Sequence, residues 1–434
     1  MQALKGIEAA LTQSQLKTMN IPQDFKDMME GLLYEEADAF FEAMARKPEI
    51  SIKLNRRKLT DSAKLGYGEL EPVKWCRSGF YLSERPKFTL NPLLHAGAFY
   101  VQDASSMIYE TVVEHIIASS FDTGRYPAVA DLCAAPGGKT TSIINALPDS
   151  AFVLANEFTK SRVGALRENL MKWGYPDVMV TSASVERLAQ VGPAFDIVAV
   201  DAPCSGEGMM RKEEEAVNQW SPALIRQCAA LQRQILESAC KMLKPGGFLI
   251  YSTCTFNRQE DEEQIDWLVN EKGMVPFDPG FPEDWGIMSG IDTQWPCFRF
   301  MPHHTRGEGL FLCVMRKEID TIENAVSTPS LKAWLRKNFK LVADGIPREE
   351  TKGALSLPAP EAPLAIDFNS REFSFADVDL PTAISFLRRE ALVLNPDVPK
   401  GYVVIRYQGF PLGFVKNLGS RANNLYPAAW KIRH

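Results

Sequence analysis

The sequence predicts an α/β protein: a mainly parallel sheet with helices on both faces, preceded by a small α+β unit and followed by a β-rich module. Three observations carry this expectation. Between about Leu90 and Lys317, short β-rich apolar runs alternate with longer helical stretches, the pattern of strands joined by crossover helices. The segment from Gly401 onward switches to strand-like alternation, "YVVIRYQGFPLGFV", and carries five Lys or Arg and no Asp or Glu. At 434 residues the chain also exceeds what one core usually serves, so two or three domains are expected. The divisions fall at 1–90, 91–318 and 319–434.

In the first unit, "MQALKGIEAALTQSQLK" reads as an amphipathic or solvated segment, with no signal-peptide core. "IPQDFKDMMEGLLYEEADAFFEAMARK" spaces its apolar residues by three and four, which predicts helix. "SIKLNRRKL" and "GFYL" predict short strands. In the second unit, "AVADLC" leads to a helix through "KTTSIINAL", and "FVLANE" to a helix through "SRVGALRENLMKWG". "VMVTSA", "FDIVAVDAP" and "GFLIYSTCT" continue the series. The third unit opens with a helical stretch and then "ALSLPAPEAPLAIDF", which is expected to be a linker.

Composition narrows the class. Hydrophobic residues at 45% and charged residues at 24% are ordinary for a soluble globular chain. No apolar run is long enough to cross a bilayer, so a cytoplasmic, monomeric protein without membrane contact is expected. A net charge of -6 argues against a generally basic nucleic-acid binder and leaves room for a local basic face. The basic tail is one candidate for RNA contact; Arg56, Arg57 and Lys58 are a second. The eight cysteines form no C-x-x-C pair, so neither a disulfide framework nor a zinc site is expected. Cys228, Cys240 and Cys313 read as small buried hydrophobes, and one of His303 and His304 as structural, with no metal expected.

"DLCAAPGGKTT", residues 131–141, is the first motif with chemistry in it. A phosphate-binding loop would read G-x-x-x-x-G-K-[ST]; here Cys133 replaces the first glycine and Pro136 lies inside the loop. That glycine makes the turn that lets amides surround a phosphate, which weakens the nucleotide-triphosphate reading. A nucleoside cofactor without phosphates fits better. Gly137 would let the backbone come close to it, and Glu157, ending the next strand, stands where a carboxylate grips ribose hydroxyls. S-adenosylmethionine meets both requirements, its amino-acid carboxylate lying at the helix N-terminus.

Two later strands end in cysteine. "VDAPCSGEG" places Asp201, Pro203 and Cys204 at one strand end, and "LIYSTCTFNRQEDE" places Cys254 at another. Open α/β sheets bind ligands at this rim. Carbon 5 of a pyrimidine takes a methyl group only after a thiolate has added at carbon 6, so cysteines placed here suit that chemistry.

"DLCAAPGGKTT", "DAPCSGEG", "YSTCT", "FRFMPHHTRGEGLFLCVM" and "GAFYVQDASSM" together resemble the signatures of the Nop/Sun family of RNA (cytosine-5) methyltransferases, over roughly residues 20–317. The tail resembles the C-terminal module of the bacterial branch acting on small-subunit ribosomal RNA. The resemblance implies a Rossmann-like methyltransferase core, an N-terminal RNA-recognition-like unit and a C-terminal PUA-like domain. It implies that Cys133, Ala134, Ala135, Pro136, Gly137, Gly138 and Lys139 form the cofactor loop and that Glu157 binds the ribose. Asp201 would lie between cofactor and base. Cys254 matches the family nucleophile, and Cys204 the second cysteine that releases the product. "VTSASVERL" departs from the pattern, offering Ser182 and Ser184 where many relatives carry an aspartate near the adenine. A non-catalytic RNA-binding or assembly factor, and transfer RNA as the substrate, are the competing readings.

Overall fold

The computed structural model describes residues 21–121, 126–319, 325–353 and 355–433; the N-terminal amphipathic segment lies outside them. The predicted N-terminal helix is two helices, Gln23–Leu33 and Ala37–Ala45, parted at Tyr34, whose φ is 50°. Phe25, Met29 and Leu33, four residues apart, bury one face of the first, and Phe40, Phe41 and Met44 one face of the second. Their apolar partners lie far along the chain: Met210, Trp220, Phe256 and Met301 complete this cluster. The helices therefore stand behind the loops that follow the cysteine-bearing strands.

A four-stranded antiparallel sheet follows, in the order β2 (Glu71–Pro72), β3 (Gly79–Leu82), β1 (Ile50–Leu54), β4 (Phe99–Val101). Ile52 pairs with Val101, so this sheet is completed by residues beyond position 90. Lys53 of β1 is fully buried, and its Nζ donates to the carbonyl oxygen of Gly138 at 3.0 Å and to Thr141 Oγ1 at 3.0 Å.

The central sheet has ten strands. Five are parallel: β5 (Ala128–Asp131), β6 (Phe152–Asn156), β7 (Val178–Thr181), β8 (Phe195–Asp201) and β9 (Leu243–Thr253). They run β9-β8-β5-β6-β7, so the winding reverses between β5 and β8. Antiparallel strands extend both sides: β10 (Met274–Phe277), β11 (Met288–Ser289), β12 (Cys297–Phe300) and β13 (Leu310–Lys317) beside β9, and β14 (Ala343–Asp344) beside β7. Alternate residues of each parallel strand enter different cores, as the two-residue period of a strand requires. Val129, Val153 and Ile197 join one with Ile108, Ile143 and Leu166; Ala130, Leu154 and Val198 join the other with Ile235, Leu236 and Leu268.

The proline-rich stretch expected to be a linker is a packed strap. β15 (Glu349–Lys352) and β16 (Leu355–Pro358) form a hairpin. Beyond it Ala359, Ala362, Leu364 and Ala365 are buried, and Ile366 donates its N–H to Gly174 O at 2.9 Å. Arg167 pairs with Glu361 at 3.0 Å. Small apolar side chains bury without needing a regular ladder, and proline has no amide to leave unpaired. The last module has the order β17 (Ser374–Val378), β18 (Gly401–Tyr407), β19 (Phe410–Asn417), β20 (Ala422–Asn424), with the helix Leu380–Leu387 packed on it.

Each member of the Arg56–Lys58 triplet has partners within the chain. Arg56 pairs with Glu110 and Glu114, and Arg57 holds Asp149 and the carbonyls of Ile144 and Leu147. Lys58 donates to the carbonyls of Ala96 and Lys172. This basic run mortises the first unit onto the central one through Arg57 and Lys58, while the Arg56 side chain stays partly exposed. Of the cysteines expected to be buried, Cys313 is, whereas Cys228 and Cys240 are only partly covered.

Candidate active site

The reversal between β5 and β8 opens a crevice at the C-terminal ends of the parallel strands, as strand order dictates. A cavity of about 730 Å³ occupies it. Leu132, Val185, Leu231 and Ile235 give it apolar walls; Cys133, Glu157, Arg162, Asp201, Cys204 and Cys254 supply its polar and sulfur groups. Residues from the ends of β5, β6, β8 and β9 thus converge on one space.

On the β5 side the loop turns from Asp131 into the helix Gly138–Ala146. Gly137 caps this helix at φ 109°. A Cβ there would meet Leu166 Cδ1 at 3.4 Å and Asn169 Cβ at 3.6 Å, ordinary contacts, so the backbone conformation is what favours glycine within the chain itself. Cys133 lines the cavity, Ala134 and Ala135 are buried, Pro136 is exposed, and Gly138 begins the helix. Lys139 leaves the loop towards the β8 end, placing Nζ 2.8 Å from Asp201 Oδ2. Burial opposes the charge on Lys139, but Asp201 outweighs it and raises the ammonium pKa. Burial pushes the Asp131 carboxyl up to about 7, although its Oδ2 accepts from Thr140 Oγ1 at 2.6 Å. Glu157 is oriented by the N–H of Thr159, 2.7 Å from Oε1, with Arg162 3.6 Å from its other oxygen.

On the β8–β9 side the two cysteines meet: Cys204 Sγ and Cys254 Sγ are 3.1 Å apart. Asp201 Oδ1 accepts from Ser252 Oγ at 2.7 Å, and that hydroxyl touches the Tyr109 hydroxyl at 2.8 Å. The neighbouring Cys254 sulfur, together with burial, drives the Cys204 pKa well above the ordinary thiol value.

Two carboxylates absent from the sequence expectation hold these loops together. Glu207, fully buried, accepts from Phe256 N at 2.6 Å, Asn257 N at 3.1 Å, Asn257 Nδ2 at 2.9 Å and Trp220 Nε1 at 3.0 Å. Glu260 accepts from Ser205 N at 3.0 Å, Asn257 Nδ2 at 2.8 Å and Gln232 Nε2 at 2.7 Å. Each loop's acid thus binds the other loop's amides. Gly208 completes the fit: a Cβ there would lie 2.7 Å from Glu308 O and 3.1 Å from Cys254 O. The available signal was an acid in each cysteine motif, in "CSGEG" and "NRQEDE". Phe158 and Arg162, also missed, line the cavity beside Glu157, and Ser184 lines it from the β7 side.

Comparison with known proteins gives this crevice a family. Residues 123–316 match the model of the 16S rRNA methyltransferase RsmB/F, residues 21–104 the N-terminal domain of 16S rRNA methyltransferase RsmF, and residues 374–432 the methyltransferase RsmF PUA domain. A ribosomal RNA small subunit methyltransferase F of Escherichia coli is 40% identical, with 90% of this chain and 92% of that protein aligned. The chain belongs to the RsmB/F family. The Cronobacter sakazakii protein of the same name is 38% identical over 59% of this chain and 55% of its own length. A methyltransferase homolog from Pyrococcus horikoshii shares the fold, with a TM-score of 0.60 and 25% identity over 70% of this chain and 98% of that one.

Methyltransferases of the RsmB/F family use S-adenosylmethionine, and the cavity suits it. Its volume accommodates a nucleoside joined to an amino acid. The buried Glu157 carboxylate lines the space together with apolar walls, a polar and apolar mixture of the kind that a nucleoside needs. When bound there, S-adenosylmethionine supplies an electrophilic methyl group. Among the described residues no helix is long and apolar enough to cross a membrane.

Proposed function

We propose that this chain methylates carbon 5 of a cytosine in small-subunit ribosomal RNA through a covalent adduct on Cys254. The supporting observation is the 3.1 Å approach of Cys204 and Cys254 at the end of the cavity that also holds Asp201. Cys254, as thiolate, adds to carbon 6 of the base. The electron pair pushed through the ring makes carbon 5 nucleophilic. Asp201, fixed by Ser252 and Lys139, stands beside the thiols to hydrogen-bond the ring edge as charge develops. After methylation Cys204, once it has itself lost its proton, takes the proton from carbon 5 and becomes a thiol, the carbon 5–carbon 6 double bond re-forms, and Cys254 leaves as thiolate. A paired cytosine has to leave its stack to reach this crevice. The Cys133–Lys139 loop and Glu157 hold the methyl donor in this reading.

RNA would be gripped by the C-terminal module. Of the five basic residues from Gly401 onward, Arg406 is neutralised by Asp377, whereas Lys416, Arg421, Lys431 and Arg433 are exposed. The names of the relatives point to the small ribosomal subunit.

The test is adduct trapping with ribosomal RNA and S-adenosylmethionine. Cys254→Ala should be inactive and form no adduct. Cys204→Ala should attack and methylate but accumulate a protein–RNA species that survives denaturing electrophoresis. Accumulation in Cys254→Ala instead would exchange the two roles. Normal turnover by both variants would refute covalent catalysis.

A further inference from the structure

Outside the crevice, three metal-ligating side chains from opposite ends of the sequence converge. Glu36 lies in the short turn between the two N-terminal helices, and His303 and His304 lie in the loop between β12 and β13. His303 Nε2 is 3.0 Å and His304 Nε2 2.7 Å from the same oxygen, Glu36 Oε2. One ligand atom from each residue falls within 4.8 Å of the others. We propose that these three residues form a binding site for a borderline divalent transition ion, zinc above all.

The geometry is nearly assembled. Zinc–nitrogen and zinc–oxygen bonds of about 2.0–2.1 Å in a tetrahedral site place neighbouring ligand atoms about 3.3 Å apart. The separations of 3.0 and 2.7 Å would open by about 0.3 and 0.6 Å to reach that spacing, and all three ligand atoms already lie within 4.8 Å of one another. The ligands are also braced. The His303 ring stands edge-on to Phe40, centroids 5.8 Å apart, and its side chain is 4% exposed. The N–H groups of His304 and Thr305 both donate to Met301 O, at 3.0 and 2.8 Å, which fixes the loop. Glu36 and His304 are partly exposed, leaving room for water as a fourth ligand. Two imidazoles with one carboxylate favour zinc, nickel or copper over magnesium or calcium, which prefer all-oxygen sites.

The site would be structural. It joins the N-terminal helices to the central unit, and Phe40 continues from His303 to Phe256, whose amide is held by Glu207 behind the cysteine loops. An ion here would fasten the backing of the active crevice without touching the reacting groups.

The full-length chain, stripped with a chelator, should be titrated with zinc sulfate against a chromophoric competitor while thermal unfolding is followed. Wild type should bind one equivalent and unfold at higher temperature. His304→Ala and Glu36→Gln, at partly exposed positions, should fold normally and weaken zinc more than about a hundredfold, beyond the usual effect of losing an outer-shell partner. The Cys204/Cys254 thiols are the competing site, so the double Cys→Ser variant should keep its zinc, and cobalt substitution should give no thiolate charge-transfer band. Absence of binding by wild type, or full affinity in both His304→Ala and Glu36→Gln, would overturn the proposal. So would loss of zinc confined to the cysteine variant.

Discussion

The two walls of the crevice are held by opposite means. The glycine-loop wall is buttressed from a neighbouring unit: the Lys53 ammonium donates to the carbonyl of Gly138 and to Thr141. The cysteine wall is buttressed from within, by Glu207 and Glu260 accepting the amides of each other's loops. A donor behind one wall and acceptors behind the other follow from which backbone groups each turn leaves pointing inward, since every buried amide or carbonyl needs a partner. The polar support of the first wall thus comes from docking of the N-terminal sheet, whereas that of the second comes from its own loops, with the N-terminal helices adding apolar packing behind them.

If that contrast holds, the largest effect comes from the cysteine wall. Glu207→Ala strands two backbone amides, an indole N–H and an asparagine amide at once. It should lower folding stability by about 3 kcal/mol or more, each orphaned donor costing about 1–3 kcal/mol before relaxation. Methyl transfer should fall with it; denaturant unfolding and turnover measured together check this, and unchanged stability would dissolve the contrast.

Glu157→Ala tests the other wall from its cavity side. Methyl-donor affinity should drop by about 1–3 kcal/mol, the loss of a hydrogen bond to a charged group, with little change in folding. Calorimetric titration with S-adenosylmethionine and a melting curve separate the two quantities.

Lys53 gives the comparison a pH signature. Burial lowers its folded pKa to about 7, against about 10.4 for a free lysine. Between those values the unfolded chain holds one more proton than the folded chain, so stability rises with pH across that window. Asp131 acts oppositely below it: with its carboxyl pushed up to about 7, its contribution is lost as pH climbs towards neutrality. Lys53→Met should flatten the rise above pH 7 by one proton and leave the acid side as it was. Unfolding free energies measured from pH 6 to about 10 would show it.

The smallest effect on folding should come from residues belonging to neither wall. Lys416→Ala and Arg421→Ala should change stability by less than about 0.5 kcal/mol. Each should weaken RNA binding and reduce the slope of log affinity against log salt by about 1. An RNA affinity that ignored both would place the contact elsewhere.

Much of the crevice was legible because its chemistry needs particular residue types at strand ends. A cysteine after "YST", another after "DAP", a glycine turn and a carboxylate one strand later can be read without coordinates. The supports were not legible, since a buried glutamate is spelled like a surface one. "NRRK" shows the converse: its charges suggested RNA, and the fold spent them on Glu110, Glu114, Asp149 and backbone carbonyls. The proline-rich strap misled for a related reason, because composition reports the lack of regular structure and not the burial of Ala362 and Leu364.

By itself, then, the sequence determined the alternation of strands and helices and the rim on which Glu157, Asp201, Cys204 and Cys254 sit. These follow from local periodicity and from chemistry that only certain side chains perform. Tertiary structure alone decided that the two thiols touch, that acids from each cysteine loop clasp the other, that the N-terminal helices stand behind them, and that Glu36 meets His303 and His304. Each of those pairings joins residues about 50 to 270 positions apart, and their separation in space is fixed by strand order and core packing, which no local pattern encodes.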